Sequence, residues 1–427
     1  MSRTVEYANQ LNRSCRCMGA DVPVLRTMLD RELQMLGRTE SIAQSHPHLY
    51  SELPVFVAPA HAQRAQQIMR AIETVVALPA YQELALARAP NLARRTTHAR
   101  GVLFGYDFHI THDGPRLIEI NTNAGGALLN VAAASAQWIC CSAVAHRFDR
   151  FDDARALQDA IFAMFISDWR LARASQPLRT IAIVDDAPQT QYLYPEFLLF
   201  QKLFQSRGID ALIVASEELR YERGALTHDN RPIDLVYNRL TDFYFTQAAH
   251  AALAQAYADD AVVITPHPRA HALYADKRNL VVLSDERELR ALRAPPDAID
   301  VLLQGAPRTL PVNSVDADRW WRERKQWFFK PVAGFGGGGA YRGEKLTRKA
   351  FAQLLQGGYV AQTLTPPGER SGDADSSLKF DVRNYAYAGE TVLTAARVYQ
   401  GQTTNFRTAG GGFAPVFIGP LAQSRRH

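Results

Sequence analysis

"GYDFHITHDGPRLIEINTNAGG" (residues 105–126) sets Asp, Glu and Asn into an otherwise apolar run. The alternation on either side of Asp113-Gly114 predicts a strand, a tight turn and a second strand. Asp107 and Glu119 then lie on adjacent antiparallel strands, and Glu119 and Asn121, two residues apart, project from one face. Hard oxygen donors of this kind are what Mg²⁺ takes, with phosphate oxygens and water completing an octahedron. An E-x-N pair in a strand recurs by chance, so its meaning depends on its company.

Some two hundred residues downstream, "WFFKPVAGFGGGGAYRG" (327–343) ends an apolar strand at Lys330 and continues into Gly334, Gly336, Gly337, Gly338 and Gly339. So many glycines strip away side chains and let backbone N–H groups close over phosphate oxygens, with the neighbouring Lys as a point charge. It is not a Walker loop, because the Lys precedes the glycines and no GK[ST] follows. Next, "GGYVAQTLTPPGE" (357–369) reads as a short buried strand running into a proline-rich loop. Its backbone groups around Gln362, Thr363 and Leu364 are placed to meet the edge of an adenine ring. "LKFDVRNYAYAGE" (378–390) puts Lys379, Asp381 and Arg383 on one strand face and Phe380, Val382 and Asn384 on the other. Three charges on one face are costly to bury unless they meet a ligand or each other; a solvent-facing edge strand is the plainer alternative. "RVYQGQTTNFRTAGGGF" (397–413) adds Arg397, Asn405 and Arg407 beside a second anion-friendly glycine cluster.

Between these ends, residues 179–216 read as strand, polar turn, amphipathic helix and strand, and "IDLVYNRL" (233–240) supplies another strand. This rhythm marks a small parallel α/β domain with ligands at the C-terminal strand ends, where Asp185, Asp186, Asn238 and Arg239 sit. Ahead of the hairpin, residues 62–78 carry apolar positions at helical spacing and begin a mainly helical region. After it, "ALLNVAAASAQWICCSAVAHRF" (127–148) reads as a small-residue helix. "ALYADKRNLVVLSD" (272–285) looks helical.

At 427 residues the chain is too long for one compact core. Its 48 basic and 43 acidic residues are spread without a Lys/Arg run, which argues against a nucleic-acid surface. No segment has the apolar length of a membrane span or signal peptide. The four cysteines, Cys15, Cys17, Cys140 and Cys141, lack the spacing of a zinc or redox motif, so free thiols in a cytoplasmic protein are expected.

Together these segments resemble the ATP-grasp superfamily of carboxylate–amine ligases over most of the chain from about residue 100. By position, Lys277 and Lys330 resemble the two lysines that hold the nucleotide phosphates, with Gly336, Gly337 and Gly338 in the glycine loop. The stretch Gln362, Thr363 and Leu364 resembles the adenine-contacting connection, with Gln362 where an acid is common. "FDVRNYAY" resembles the D-x-R strand and "NFRTAGGG" the Arg-and-glycine segment; Asp107, Glu119 and Asn121 resemble the metal ligands. In the ordinary family order the metal strands come last, whereas here they come first. That order resembles the circularly permuted branch containing the glutathionylspermidine synthetases.

The resemblance implies an α/β (α+β ATP-grasp) fold with four parts. These are a helical region (1–95), the metal-binding part (96–175), a pre-ATP-grasp α/β substrate domain (176–265), and the lysine, glycine-loop and adenine parts (266–427). It implies ATP with one or two Mg²⁺ ions (or Mn²⁺), and small-molecule carboxylate and amine substrates joined through an acylphosphate. Lys330, Arg383 and Arg407 are the implied catalytic charges. A kinase on the same scaffold, or a non-catalytic ATP-binding module, are the alternatives. His109 shares a strand face with Asp107 by alternation, which suits a supporting role beside the metal ligands.

Overall fold

The computed structural model describes residues 3–16, 18–139, 153–334, 338–372 and 377–419. Three sheets carry the architecture. The largest is antiparallel and six-stranded, in the order Gly412–Ala414, Glu390–Tyr399, Ser377–Tyr387, Phe104–Thr111, Gly114–Asn121, with Gly368–Ser371 pairing the start of Ser377–Tyr387. The hairpin from the front of the chain thus adds directly to strands from its end, and Asp107 stands opposite Arg383 in register. The 377–387 strand is central, not an edge, which removes the solvent-facing alternative.

This sheet separates two chemistries by the period-two rule. Tyr106, Phe108, Leu117 and Ile120 bury one face against Ile68, Met69, Ile72 and Val75 of the helix Pro59–Val76 and Ile299 and Leu302 of the helix Pro296–Gly305. Phe380 and Val382 extend the apolar side onto Val55 and Val57. Each such side chain removed from water contributes roughly 1.5–3 kcal/mol. The opposite face carries the charges. Leu117 and Ile120 share the apolar face despite lying three residues apart because a β-bulge intervenes: Phe108 pairs Leu117 and Asp107 pairs Glu119, leaving Ile118 as the extra residue.

A second antiparallel sheet, ordered Thr309–Pro311, Tyr359–Thr363, Trp327–Pro331, Tyr341–Arg342, carries Lys330 and Gln362. The third is parallel and four-stranded, in the order Val263–Thr265, Leu235–Asn238, Thr180–Asp185, Asp210–Ala215. Its strand order reverses between Thr180–Asp185 and Leu235–Asn238, so Asp185, Asp186, Asn238 and Arg239 end the two strands flanking the topological switch. The segment after the hairpin departs from the single helix expected. It is helical over Ala127–Ser135 and then forms a short strand, Gln137–Ile139, antiparallel to Met18–Ala20. Trp138 and Ile139 are strand formers, and a partner edge is available to them; the remainder of that segment lies outside the described residues. Among the described residues no helix is long and apolar enough to cross a membrane.

Candidate active site between two sheets

The charged face of the large sheet is an alternating chain of ions. Arg383 donates from Nε and Nη2 to the two oxygens of Asp107 at 2.6 and 2.7 Å, and Arg397 Nη2 donates to Asp107 Oδ2 at 2.8 Å. Arg397 Nε reaches Asp381 Oδ1 at 2.7 Å, and the Thr404 hydroxyl donates to the other Asp381 oxygen. Of the three charges expected on this face, Asp381 and Arg383 are thus joined through Arg397 and Asp107, whereas Lys379 Nζ donates to the Gly401 carbonyl at 2.6 Å. Burial pushes the Asp107 carboxyl upward, but Arg383 and Arg397 outweigh it and hold the group below the ordinary range. Arg397 is the member of this ion chain that the sequence reading placed only beside a glycine cluster. Its signal was a lone guanidinium in the apolar strand "VLTAARVY", which needs an acid on a neighbouring strand.

Next to this chain lie Glu119 and the lysines. Asn121 Nδ2 donates to Asp107 Oδ2 at 3.1 Å and to Glu119 Oε1 at 3.3 Å, so the three expected metal ligands converge. Lys330 Nζ donates to the Ile118 carbonyl at 2.7 Å and to Gln362 Oε1 at 2.9 Å. The Ile118 carbonyl is offered to Lys330 at the bulge that alternation in the sequence could not reveal. Lys277 Nζ donates to the Gly334 carbonyl at 3.0 Å, joining the helical segment to the start of the glycine loop. Burial lowers the Lys330 ammonium to about 8, against a rise from Glu119 and with a further reduction from Lys277. Glu119 is raised by burial, but Lys277 and Lys330 outweigh that and leave it below its usual value.

A pocket opens between the two antiparallel sheets, with Phe328 and Leu364 on one side, Tyr399 and His109 on the other, and Arg342 and Lys379 among its cations. His109 bonds the Thr365 carbonyl through Nδ1 at 2.8 Å, which places it on this pocket. The backbone donors expected to face a base are already engaged: Thr363 N–H bonds the Arg308 carbonyl and Leu364 N–H the Gln326 carbonyl, both at 2.8 Å. Gly338 belongs to the turn before Tyr341, whereas Gly336 and Gly337 lie outside the described residues. Arg407 is exposed, and its guanidinium has no hydrogen-bond partner among the described residues, so the structure does not bring it to the ion chain. Cys15 is buried; the other three cysteines lie outside the described residues.

The turn that follows Asn121 is braced from the parallel sheet. Arg239 Nη1 donates to the Asn123 carbonyl at 2.9 Å, and Asn123 Nδ2 donates to the Leu240 carbonyl at 3.1 Å. The buried Glu196 carboxylate accepts from Gly126 N–H at 2.7 Å and Leu128 N–H at 3.0 Å, capping the helix Ala127–Ser135 across elements. Tyr385 donates its hydroxyl to the Gly125 carbonyl at 2.7 Å. Behind the turn, burial raises Asp185 to about 6. The fully buried His250 ring lies between Asp242, 2.7 Å from Nδ1, and Asp186, 2.9 Å from Nε2.

Among the described residues no three His, Cys, Asp or Glu side chains form a metal-holding cluster. The local donor set is two carboxylates and an amide. Its fit to a hard divalent cation rests on that chemistry and on Asn121 spanning both acids, whereas Asp107 is already engaged by two arginines.

No protein-family model matches the sequence, and no curated protein matches it. Solved structures do. A glutathione synthetase-like effector from Globodera pallida aligns at 12% identity over 92% of this chain and 97% of its own, with TM-score 0.55. A putative gamma-glutamylcysteine synthetase from Methylobacillus flagellatus KT aligns at 10% identity over 84% and 87%, with TM-score 0.48. The ATP-grasp ligase PsnB aligns at 16% identity over 58% and 91%, with TM-score 0.31. At such identities the likeness concerns the fold alone, and it is the α/β fold of the first of these structures that this chain shares.

Proposed function

We propose that this chain is an ATP-dependent carboxylate–amine ligase that works through an acylphosphate, and that its ATP-grasp order is circularly permuted. The observation that carries the reading is the convergence, at the junction of two sheets, of Asp107, Glu119 and Asn121 from the front of the chain with Lys330, Arg383 and Arg397 from its back. A site built of cations beside hard oxygen donors suits phosphoryl transfer, where catalysis is chiefly positioning and charge neutralisation. The four-part division stated above, with the parallel sheet as substrate domain, belongs to the same proposal.

In this mechanism the nucleotide base enters the slot between Phe328, Leu364 and Tyr399, and its phosphates run toward Lys330, Lys277 and the glycine loop. Glu119 and Asn121, with Asp107, would hold Mg²⁺, which supplies positive charge to phosphate oxygens when bound. Arg383 presents a planar fork suited to a phosphate or a substrate carboxylate. The substrate carboxylate attacks the γ-phosphorus, and ADP departs. An amine then attacks the acyl carbon, the amide bond forms, and inorganic phosphate leaves. Lys277, bonded to the Gly334 carbonyl, ties the start of the glycine loop to the site. Arg407 has no role in this geometry.

Glu119→Gln tests the reading. The variant should fold and lose Mg²⁺-dependent ADP formation by orders of magnitude, because one charge is removed where phosphoryl charge is balanced. Turnover equal to wild type refutes the placement of Glu119.

A further inference from the structure

The sequence assigns no chemistry to the helical region over 1–95, yet three of its side chains reach the segment that carries Lys277. That lysine lies between the π-helical turn His271–Ala275 and the helix Asn279–Leu283, outside any strand. Local turn bonds hold it and no sheet ladder does, so its place relative to the two sheets depends on contacts brought from elsewhere. π-helical turns are rare and occur frequently at functional sites.

The contacts come from the helices Pro59–Val76 and Pro79–Ala87 and from Arg88, which ends the second. Tyr81, fully buried, donates its hydroxyl to the Leu273 carbonyl at 2.9 Å. Arg88 Nη2 donates to Asn279 Oδ1 at 2.9 Å, and Asn279 Nδ2 donates to the Ala272 carbonyl at 2.9 Å. Chemistry sets the orientation of this amide: a guanidinium only donates and a carbonyl only accepts, so the oxygen faces Arg88 and the NH₂ faces Ala272. Asn279, 0% exposed, thus ties together the two sides of the lysine turn. Without Arg88 its oxygen is left buried and unpaired, a costly state that the turn can relieve by shifting. Glu73 accepts the Tyr274 hydroxyl on one oxygen at 2.8 Å and the Tyr106 hydroxyl on the other at 3.1 Å. Tyr106 precedes Asp107 in its strand, so this carboxylate spans the lysine segment and the strand that carries Asp107.

We propose that Arg88 is a positioning residue for Lys277, and that the helical region serves to set this lysine against the strand of Asp107. The proposal rests on the ATP-binding reading above. Calorimetric titration with Mg²⁺ and the β,γ-imido analogue of ATP tests it in wild type, Arg88→Met, Lys277→Ala and the double variant, each checked for folding by thermal melting. Methionine keeps the apolar stem and removes the donors. Arg88→Met should bind the analogue about tenfold more weakly than wild type, yet add nothing to the loss in Lys277→Ala, because it acts through that lysine. If Arg88→Met does not fold, Tyr81→Phe, which deletes one hydroxyl, takes its place with the same expected pattern. Affinity equal to wild type in the folded variant overturns the proposal, and so does Lys277→Ala binding as wild type does. A loss of the same size with and without the Lys277 amine also overturns it, because Arg88 would then act through another group. Absence of binding to wild type would instead overturn the ATP reading, and this proposal with it.

Discussion

Replacing Arg397 with Gln removes the middle cation of the chain Asp381–Arg397–Asp107–Arg383. The consequences at its two ends differ. Asp107 keeps both bonds from Arg383 and the amide of Asn121, whereas Asp381 keeps, among the described residues, only the Thr404 hydroxyl. The side chains of Arg397 and Asp381 are 13% and 5% exposed, so solvent compensates little. Removing one partner of a buried ion pair costs about 3–5 kcal/mol; with Asp107 still satisfied, the lower end, about 3 kcal/mol, applies. Asp381→Asn leaves Arg397 paired with Asp107 and should cost less, about 1–2 kcal/mol. In the double variant two neutral amides replace the pair, so the combined cost should fall short of the sum by about 2 kcal/mol. Urea unfolding of the four proteins measures these differences as shifts in midpoint at constant slope. If Arg397→Gln unfolds within about 0.5 kcal/mol of wild type, or the two substitutions simply add, the ion chain is not the buried unit described.

Further predictions concern the lysine and two turn glycines. Lys330 is protonated below about pH 8 and loses its proton above it, so affinity for ATP should be flat below that pH and fall above it by up to about tenfold per unit; titrations at pH 7 to 9.5 check this, and flat affinity across that range contradicts it. The sign for stability is opposite, because the folded protein binds fewer protons than the unfolded chain between about 8 and 10.5, so this group stabilises folding as pH rises through that window. Gly126 has φ of 96°, and an added Cβ would lie 2.2 Å from Phe413 Cζ. Gly126→Ala should therefore cost about 2–4 kcal/mol from left-handed strain and overpacking. Gly114, with φ of 115° and open space around it, should lose to Ala only the strain, about 1 kcal/mol; equal losses in thermal melting contradict the packing argument.

Much of the fold was legible in the sequence because its signals were local. The hairpin of 104–121 announced itself through alternation and Asp113-Gly114, the parallel sheet through its strand–helix–strand rhythm, and the 377–387 strand through opposed charged and apolar faces. The mixed α/β fold followed from these segments. What the sequence concealed depends on pairing between distant segments. Nothing near Asp381 says that Arg397 is its partner, and nothing near Asp107 says that two arginines from the far end of the chain occupy both its oxygens. The bulge at Ile118 hides because strict alternation puts Leu117 and Glu119 on one face, whereas core packing of Leu117 with Ile120 prevails. Backbone donors at Thr363 and Leu364 looked available because their acceptors, at Arg308 and Gln326, are remote in sequence. The helix at 127–135 was overextended since small apolar residues carry no stop signal until the edge strand at Met18–Ala20 is known.

The central claim is that ATP activates a carboxylate at the junction of the two sheets. Hydroxylamine intercepts acylphosphates, so the direct measurement is hydroxamate formation by the purified protein with ATP, Mg²⁺, hydroxylamine and a fractionated pool of carboxylic acids. The account predicts a hydroxamate formed together with ADP from one fraction, and neither product with Glu119→Gln. ADP accompanied by a stable phosphoester, with no hydroxamate from any fraction, would contradict it and make the chain a kinase.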